Sequence, residues 1–199
     1  MEAPVGGRVV AQGEGLVLRA PVPGDRSRML EQAHDPVQLR HGQPAGVPVP
    51  SVIADLDDRV ARSAQALADR TPGDLVVAEA ADPALFLGSV SWRQDTPPLL
   101  RIADVGYAVH ADARGRGVAT RAVRLLSRWL LLDADGPGQA RAQLEHSVEN
   151  AASCRVALAA GYAREGVRRG FLPMCDPDHP DGVRRHDVCS HGLLPSDLA

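Results

Sequence analysis

The sequence predicts an α/β (α+β) domain in which a mostly antiparallel sheet of about seven strands is flanked by about four helices. Three observations carry that expectation. Short apolar runs separated by turn residues occupy residues 75–109 at a spacing that suits a meander. Two longer stretches repeat their apolar residues with the period of a helix. Between the last run of the meander and one of those helices stands Arg114-Gly115-Arg116-Gly117-Val118-Ala119-Thr120, a glycine-rich strand-to-helix junction. The first N–H groups of a helix lack intrahelical partners and carry the positive end of its dipole, so an anion can rest on them where glycine lets the backbone approach.

The elements follow in order. Residues 1–15 lack the apolar core of a signal peptide and read as a flexible leader, which leaves residues 16–199 as one domain. LVLRA (16–20) is a first strand, and Asp25 is placed to cap a helix running to about residue 33. Residues 35–50 hold four prolines and read as a loop. Ser51 then caps a second helix to about residue 69, with Val52, Leu56, Val60, Ala64 and Leu67 on one face, closed by Thr71-Pro72-Gly73-Asp74. Strands 75–80, 85–92 and 99–109 form the meander. A third helix starts at residue 118 and shows Val118, Ala122, Leu125, Trp129 and Leu132 on one face. Past Gly136-Pro137-Gly138 come a strand (140–148), a short helix (151–160) ending at Gly161, a strand (162–168) and a last strand (187–194).

Composition narrows the function. The 22 basic residues are all arginine, against 25 acids, for a net charge of −3. That balance points to neither nucleic acid nor membrane as partner. Arg114, Arg116, Arg121, Arg124 and Arg128 nevertheless form a basic island with Asp112 as its single acid, fit for a phosphate-rich ligand or for a solvated helix face. Three cysteines are too few and odd in number for a disulfide framework, and no apolar run approaches the ~20 residues of a membrane span, so a cytoplasmic protein is expected. The arginine-for-lysine bias suggests a bacterial source. Cys175, His179, His186, Cys189 and His191 cluster near the end of the chain, but their spacing fits no common zinc pattern, and no metal is expected.

The junction lacks the third glycine of a dinucleotide fingerprint and the lysine of a phosphate-binding Walker loop. It reads R-x-x-G-x-A from Arg114 through Gly117 to Ala119, and so resembles the coenzyme A pyrophosphate loop of the GCN5-related N-acetyltransferases (GNAT). Glu149-Asn150-Ala151-Ala152-Ser153-Cys154-Arg155-Val156-Ala157, followed by Gly161-Tyr162 and Glu165-Gly166, resembles the N-x-x-S-x-R-V-A…G-[FY]…E-G segment of the Rim-type branch, which acetylates ribosomal-protein N-termini. Gly117 and Asn150 are 33 residues apart, as in that branch. The resemblance spans residues 16–194 and implies a mixed sheet splayed between its fourth and fifth strands.

It also implies a chemistry. Acetyl-CoA would be the cosubstrate, its pantetheine arm bonding to the main chain near Tyr107 and Val109 and to Asn150. Its pyrophosphate would lie on the N–H groups of Arg114, Gly115, Arg116, Gly117, Val118, Ala119 and Thr120. Arg116 pointing to solvent, and Asn150 serving as a helix cap, are the plainer alternatives. Amine acetylation needs a base for the ammonium proton, a donor to the oxyanion and a donor to the departing thiolate. Asp104, in IADVGYAV, stands where the Rim-type branch resembles A-E-[IV]-G-Y with glutamate as base; its shorter side chain favours a bridging water, and the plainer role is an ion pair with arginine. Ala157 occupies the place of the usual acidic tyrosine, which leaves Ser153 to bond the thiolate or only nearby backbone. The oxyanion donor would be the N–H of Val105 or Tyr107. The expected activity is direct acetyl transfer in a ternary complex to a primary amine, of a protein N-terminus or a small molecule, in a protein that could be a homodimer. An antibiotic or polyamine acetyltransferase and a non-catalytic acyl-CoA-binding protein are the alternatives.

Overall fold

The computed structural model describes residues 7–176 and 178–198. Val9–Gly13 (β1) and Leu16–Arg19 (β2) form a hairpin whose two-residue turn, Glu14-Gly15, has φ of 52° and 76°. Positive φ at both positions matches the right-handed twist of the flanking strands. The part of the expected leader that is described therefore joins the sheet instead of lying free; residues 1–6 fall outside the described residues.

β2 leads into a short 3-10 turn and helix α1 (Arg26–Ala33). Asp25 does not cap that helix. Its carboxylate receives both terminal nitrogens of Arg19, at 2.7 and 2.8 Å, in a fully buried pair, and also accepts from Val22 N. Residues 35–50 are not all loop: Pro36–Gly42 form helix α2, with Asp35 accepting from Val37 N and Gln38 N. An Asx cap followed by proline at the first helical position is a helix start, and the prolines further on masked it. The second expected helix divides into a 3-10 turn (Ile53–Leu56) and α3 (Asp57–Ala68). Asp55, not Ser51, supplies the acceptor there, taking Ser51 N and Val52 N. Val52 and Ala64 are exposed, and Ser63 joins Leu56, Val60 and Leu67 in the interior.

The meander stands as expected, as β3 (Gly73–Glu79), β4 (Phe86–Arg93) and β5 (Ile102–Val109). After β5 come α4 (Val118–Leu131), β6 (Arg141–Ser147), α5 (Ala151–Ala159), β7 (Ala163–Cys175) and β8 (Val183–Leu193). The last two strands run well past the expected spans and pair through Cys175↔Val183. Pro173 sits inside β7 because β7 is an edge strand, where a missing donor costs no ladder bond. The outcome is one open sheet of eight strands, order β1-β2-β3-β4-β5-β6-β8-β7, with five α-helices among the described residues. Only β5 and β6 run parallel.

Alternation along the strands sorts the interior into two faces. Leu16, Leu18, Leu75, Val77, Ala103, Val105, Ala142 and Leu144 meet α4 and α5 on one side. Val17, Val76, Ala78 and Phe86 meet α1 and α3 on the other. No described helix is long and apolar enough to cross a membrane.

Candidate active site

The parallel pairing of β5 with β6 covers only Ile102–Val105, against Arg141–Leu144. Beyond it β5 stays on β4, and β6 turns to β8, so a gap opens between them. His110 N donates across to Leu87 O on β4, which fixes the alternation: Tyr107 and Val109 aim their main-chain groups into the gap. Val109 O there accepts from Arg114 Nε at 3.2 Å.

At the end of the gap stands the start of α4. Gly115 and Gly117 have φ of 74° and 70°, the left-handed region that a side chain resists, and a Cβ added at either would meet nothing within 4 Å. Gly117 is the cap and offers no side chain; the first turn has no acid, and the first helical bond runs from Arg121 N to Gly117 O. The N–H groups of Val118, Ala119 and Thr120 are thus not used by the helix or by a cap among the described residues, and they point outward from an open, glycine-lined bend. Unused N–H groups at a helix start can take an anion.

The basic island is more committed than its sequence suggests. Arg114 grips Asp35 with both terminal nitrogens, and this guanidinium, with the Gln38 and Val37 N–H groups, holds the Asp35 carboxyl below its ordinary value against the opposing effect of burial. Arg116 pairs with Glu79 at 3.2 Å, Arg124 with Glu14 at 2.9 Å, and Arg121 donates to Glu14 O. Arg114 ties the glycine bend to α2, while Arg116 stays exposed and pairs with Glu79 at the surface.

Asn150 caps α5, its Oδ1 accepting from Ser153 N at 3.1 Å. Ser153 is buried, and its Oγ accepts from the Tyr107 hydroxyl at 3.0 Å. Because Tyr107 spends its only proton on that bond, the Ser153 proton is free to point elsewhere. Burial pushes the Tyr107 phenol up, so it stays protonated. The pair was not foreseen: Tyr107 and Ser153 were each singled out, but their contact depends on how α5 lies over β5.

Asp104 occupies the opposite face of β5 from Val105 and Tyr107. It is nearly buried and accepts from Asp95 N at 2.9 Å and from Gln143 Nε2. No arginine pairs with it among the described residues. Four residues further along the same face, Gln32 donates to Ser89 Oγ at 2.9 Å beneath α1. Residues 44–45 close one side of this face by bonding to β7, with Ala45 N on Pro173 O at 2.9 Å. A shallow hollow of 580 Å³ lined by Arg59, Ala66 and Gly73 opens at the start of β3, with β4 between it and β5.

Of the clustered cysteines and histidines weighed in the sequence, only Cys189 and His191 come close to each other; they meet His146 and Cys154 under α5. Those two partners were missed because they lie on other elements, about 40 residues upstream.

Comparison with known proteins bears on this arrangement. The ribosomal-protein-S5-alanine acetyltransferase from Vibrio fischeri superposes with a TM-score of 0.75 at 16% identity, covering 94% of this chain and 97% of that one. RimJ from Mycobacterium smegmatis, in complex with CoA-disulfide, gives 0.74 at 19%, covering 96% and 86%. Spermidine N-acetyltransferase from Vibrio cholerae, with CoA and spermine, gives 0.72 at 16%, covering 94% and 100%. Such identities establish a shared fold. No protein of curated function matches the sequence. The model of the acetyltransferase (GNAT) domain matches residues 15–163, a span that holds the meander, the glycine bend and the start of α5 together, and the chain therefore belongs to the GNAT acetyltransferase family.

Proposed function

We propose that this protein moves an acetyl group from acetyl-CoA to a primary amine, by direct transfer in a ternary complex, and that the amine is a protein N-terminal α-amine. The observation that carries the reading is the continuity of three features: the uncapped start of α4, the gap between β5 and β6, and the Tyr107–Ser153 pair at the gap. Pyrophosphate would take the N–H groups of residues 114–120, and the extended arm would fill the gap as a pseudo-strand. Asn150 would hold an amide of the arm through its side-chain NH2, since its oxygen is spent on the cap. The setting would be the cytoplasm.

The two faces of β5 divide the proton traffic. On one, Asp104 takes the ammonium proton, directly or through a water; a carboxylate has lone pairs left after two hydrogen bonds. The neutral amine attacks the thioester carbon, and the oxyanion accepts from the N–H of Tyr107, which lies beyond the parallel pairing that engages Val105. When the C–S bond breaks, the thiolate on the other face accepts a hydrogen bond from the Ser153 hydroxyl, polarised by Tyr107, and the remaining proton shed by the attacking nitrogen ends on the sulfur, so that CoA leaves as the thiol.

The test incubates the full chain with acetyl-CoA and a panel of Ser- and Ala-initiated peptides, a polyamine and an aminoglycoside, and follows free CoA thiol. Release with the peptides is expected, and Asp104→Asn should slow it on the order of 10²-fold, the usual worth of a positioned base. Release only with the small amines overturns the α-amine assignment. Tight CoA binding with no release for any amine overturns catalysis altogether.

A further inference from the structure

Beneath α5, among side chains that take no part in the proposed reaction, four converge: His146 of β6, Cys154 of α5, and Cys189 and His191 of β8. Their ligand atoms all lie within 4.8 Å of one another. We propose that these four residues bind one zinc ion in a closed, structural Cys2His2 site, independent of the acetyl-transfer reading.

The geometry is built in by the fold. His146 and Cys189 are direct cross-strand partners, and His191, opposite Leu144, is the next residue on the same face of β8. Cys154, in the first turn and a half of α5, comes down from above. His191 Nε2 stands 3.6 Å from Cys154 Sγ and 3.9 Å from Cys189 Sγ. Tetrahedral zinc with Zn–S near 2.3 Å and Zn–N near 2.0–2.1 Å sets its ligands about 3.3–3.8 Å apart, so the four groups need only draw in slightly around a centre.

Two further observations point to a ligand. His146 Nδ1 lies 2.8 Å from the Ser147 carbonyl, which can only accept, so Nδ1 carries the proton and Nε2 has the lone pair. That Nε2 is buried without a hydrogen-bond partner. An orphaned buried nitrogen is costly, and a metal satisfies it; a backbone carbonyl on the far nitrogen is the usual partner that orients a ligating imidazole. Second, Arg164 Nε donates to Cys189 Sγ at 3.2 Å, which fixes the orientation of that sulfur toward the centre of the cluster. Two thiolates and two neutral imidazoles balance a divalent cation, and binding releases the two thiol protons. A tetrahedral S2N2 set selects zinc among common divalent ions.

The site would clamp α5 to the β6–β8 pair. That helix has only nine residues and buries only Ser153 and Ala157 fully, yet it carries Asn150 and Ser153. Cys154 is the residue next to Ser153, so the clamp would hold the thiolate end of the slot.

The experiment purifies the full chain under reducing conditions in the presence of zinc, desalts it, and measures bound metal. About one zinc per chain is expected. Cobalt(II) exchanged into the chelator-stripped, refilled protein should show the intense visible bands of a tetrahedral ion and a near-ultraviolet thiolate charge-transfer band. Cys154→Ser, at a half-exposed position that tolerates change, should weaken that band and raise zinc loss to chelator by at least tenfold, whereas Cys175→Ser, an exposed cysteine outside the cluster, should change neither. A folded, reduced chain that keeps no zinc and gives cobalt no thiolate band overturns the proposal. So does wild-type zinc retention in the Cys154→Ser/Cys189→Ser chain, or a Cys154–Cys189 disulfide in protein that holds no metal.

Discussion

The Tyr107–Ser153 bond decides how the weakest part of the proposed chemistry is to be read. A serine hydroxyl alone is a poor acid, and at 3.0 Å from a phenol that only donates to it, Ser153 becomes the polarised end of a two-member relay. Ser153→Ala should therefore lower kcat by roughly 10–100-fold, below the full worth of a general acid, while leaving the KM for acetyl-CoA within about twofold. Tyr107→Phe should lower kcat less, because the serine proton remains. Equal losses in kcat and in acetyl-CoA affinity would assign Ser153 to binding instead. The sequence showed both residues and not the relay, since 46 positions separate them and only the tertiary fold closes the distance. Asp25 taught the reverse lesson. Its place before a helix suggested a cap, but Arg19, buried at 0% exposure in β2, needs a counter-charge more than the helix needs an acceptor. Removing one partner of a buried pair leaves the other uncompensated, so Asp25→Ala should cost about 3–5 kcal/mol, read from urea unfolding with the slope unchanged. A loss under about 1 kcal/mol would mean that water reaches Arg19 in the native state.

At the scale of elements, what was legible followed from local chemistry and what was not followed from competition between signals. The β3–β5 meander and α4 came through because alternation, helical period and turn residues agreed. β1 did not, although Gly13-Glu14-Gly15 between two apolar runs is a hairpin signal, because its exposed edge residues gave the run little apolar weight. α2 was hidden by the prolines that follow it, and the extensions of β7 and β8 by Pro173 and by the proline-rich turn beyond. The glycine bend has the left-handed backbone that its two glycines suggest, and the role proposed for it can be tested. Gly117 sits at φ 70° with open space where a Cβ would stand, so the substitution has no neighbour to strike and the two costs separate. Gly117→Ala should lower stability by about 1 kcal/mol through the left-handed backbone alone. It should weaken CoA binding by at least tenfold in calorimetry, because the methyl group points where pyrophosphate would approach the N–H groups. Full CoA affinity with the expected stability loss would place the pyrophosphate elsewhere.

The whole molecule is held across its sequence by ion pairs that answer to pH in one direction. Arg114 lowers Asp35 and joins the glycine bend to α2; Arg28 lowers Asp112 and joins α1 to the turn after β5; Arg184 lowers both Glu149 and Asp176 and binds β8 to the approach to α5. Burial, helped by Arg40, also lowers His41 from its ordinary value. A group whose pKa is depressed on folding contributes stability that is full above its unfolded value and is lost as pH falls through its folded one. His41 therefore begins to subtract below about pH 6.5, and the carboxylates follow below about pH 4.5, where the unfolded chain takes up protons that the native pairs refuse. Tyr107 and Tyr162 are raised, chiefly by burial, and have the opposite sign: their contribution is full below about pH 10 and is lost above it. The melting temperature should thus form a plateau from about pH 7 to 10, slope gently toward pH 5 and drop steeply below about 4.5. Several of these pairs are substantially exposed, so 1 M salt should soften the acid drop by screening. Asp35→Asn, which removes the least exposed of these four lowered carboxylates, should make that drop shallower while lowering the plateau. Melting followed by circular dichroism from pH 3 to 11 reads all of this, and a maximum near pH 4, or an acid limb unchanged by both salt and Asp35→Asn, would show that the arginine–carboxylate pairs do not govern the fold's response to acid.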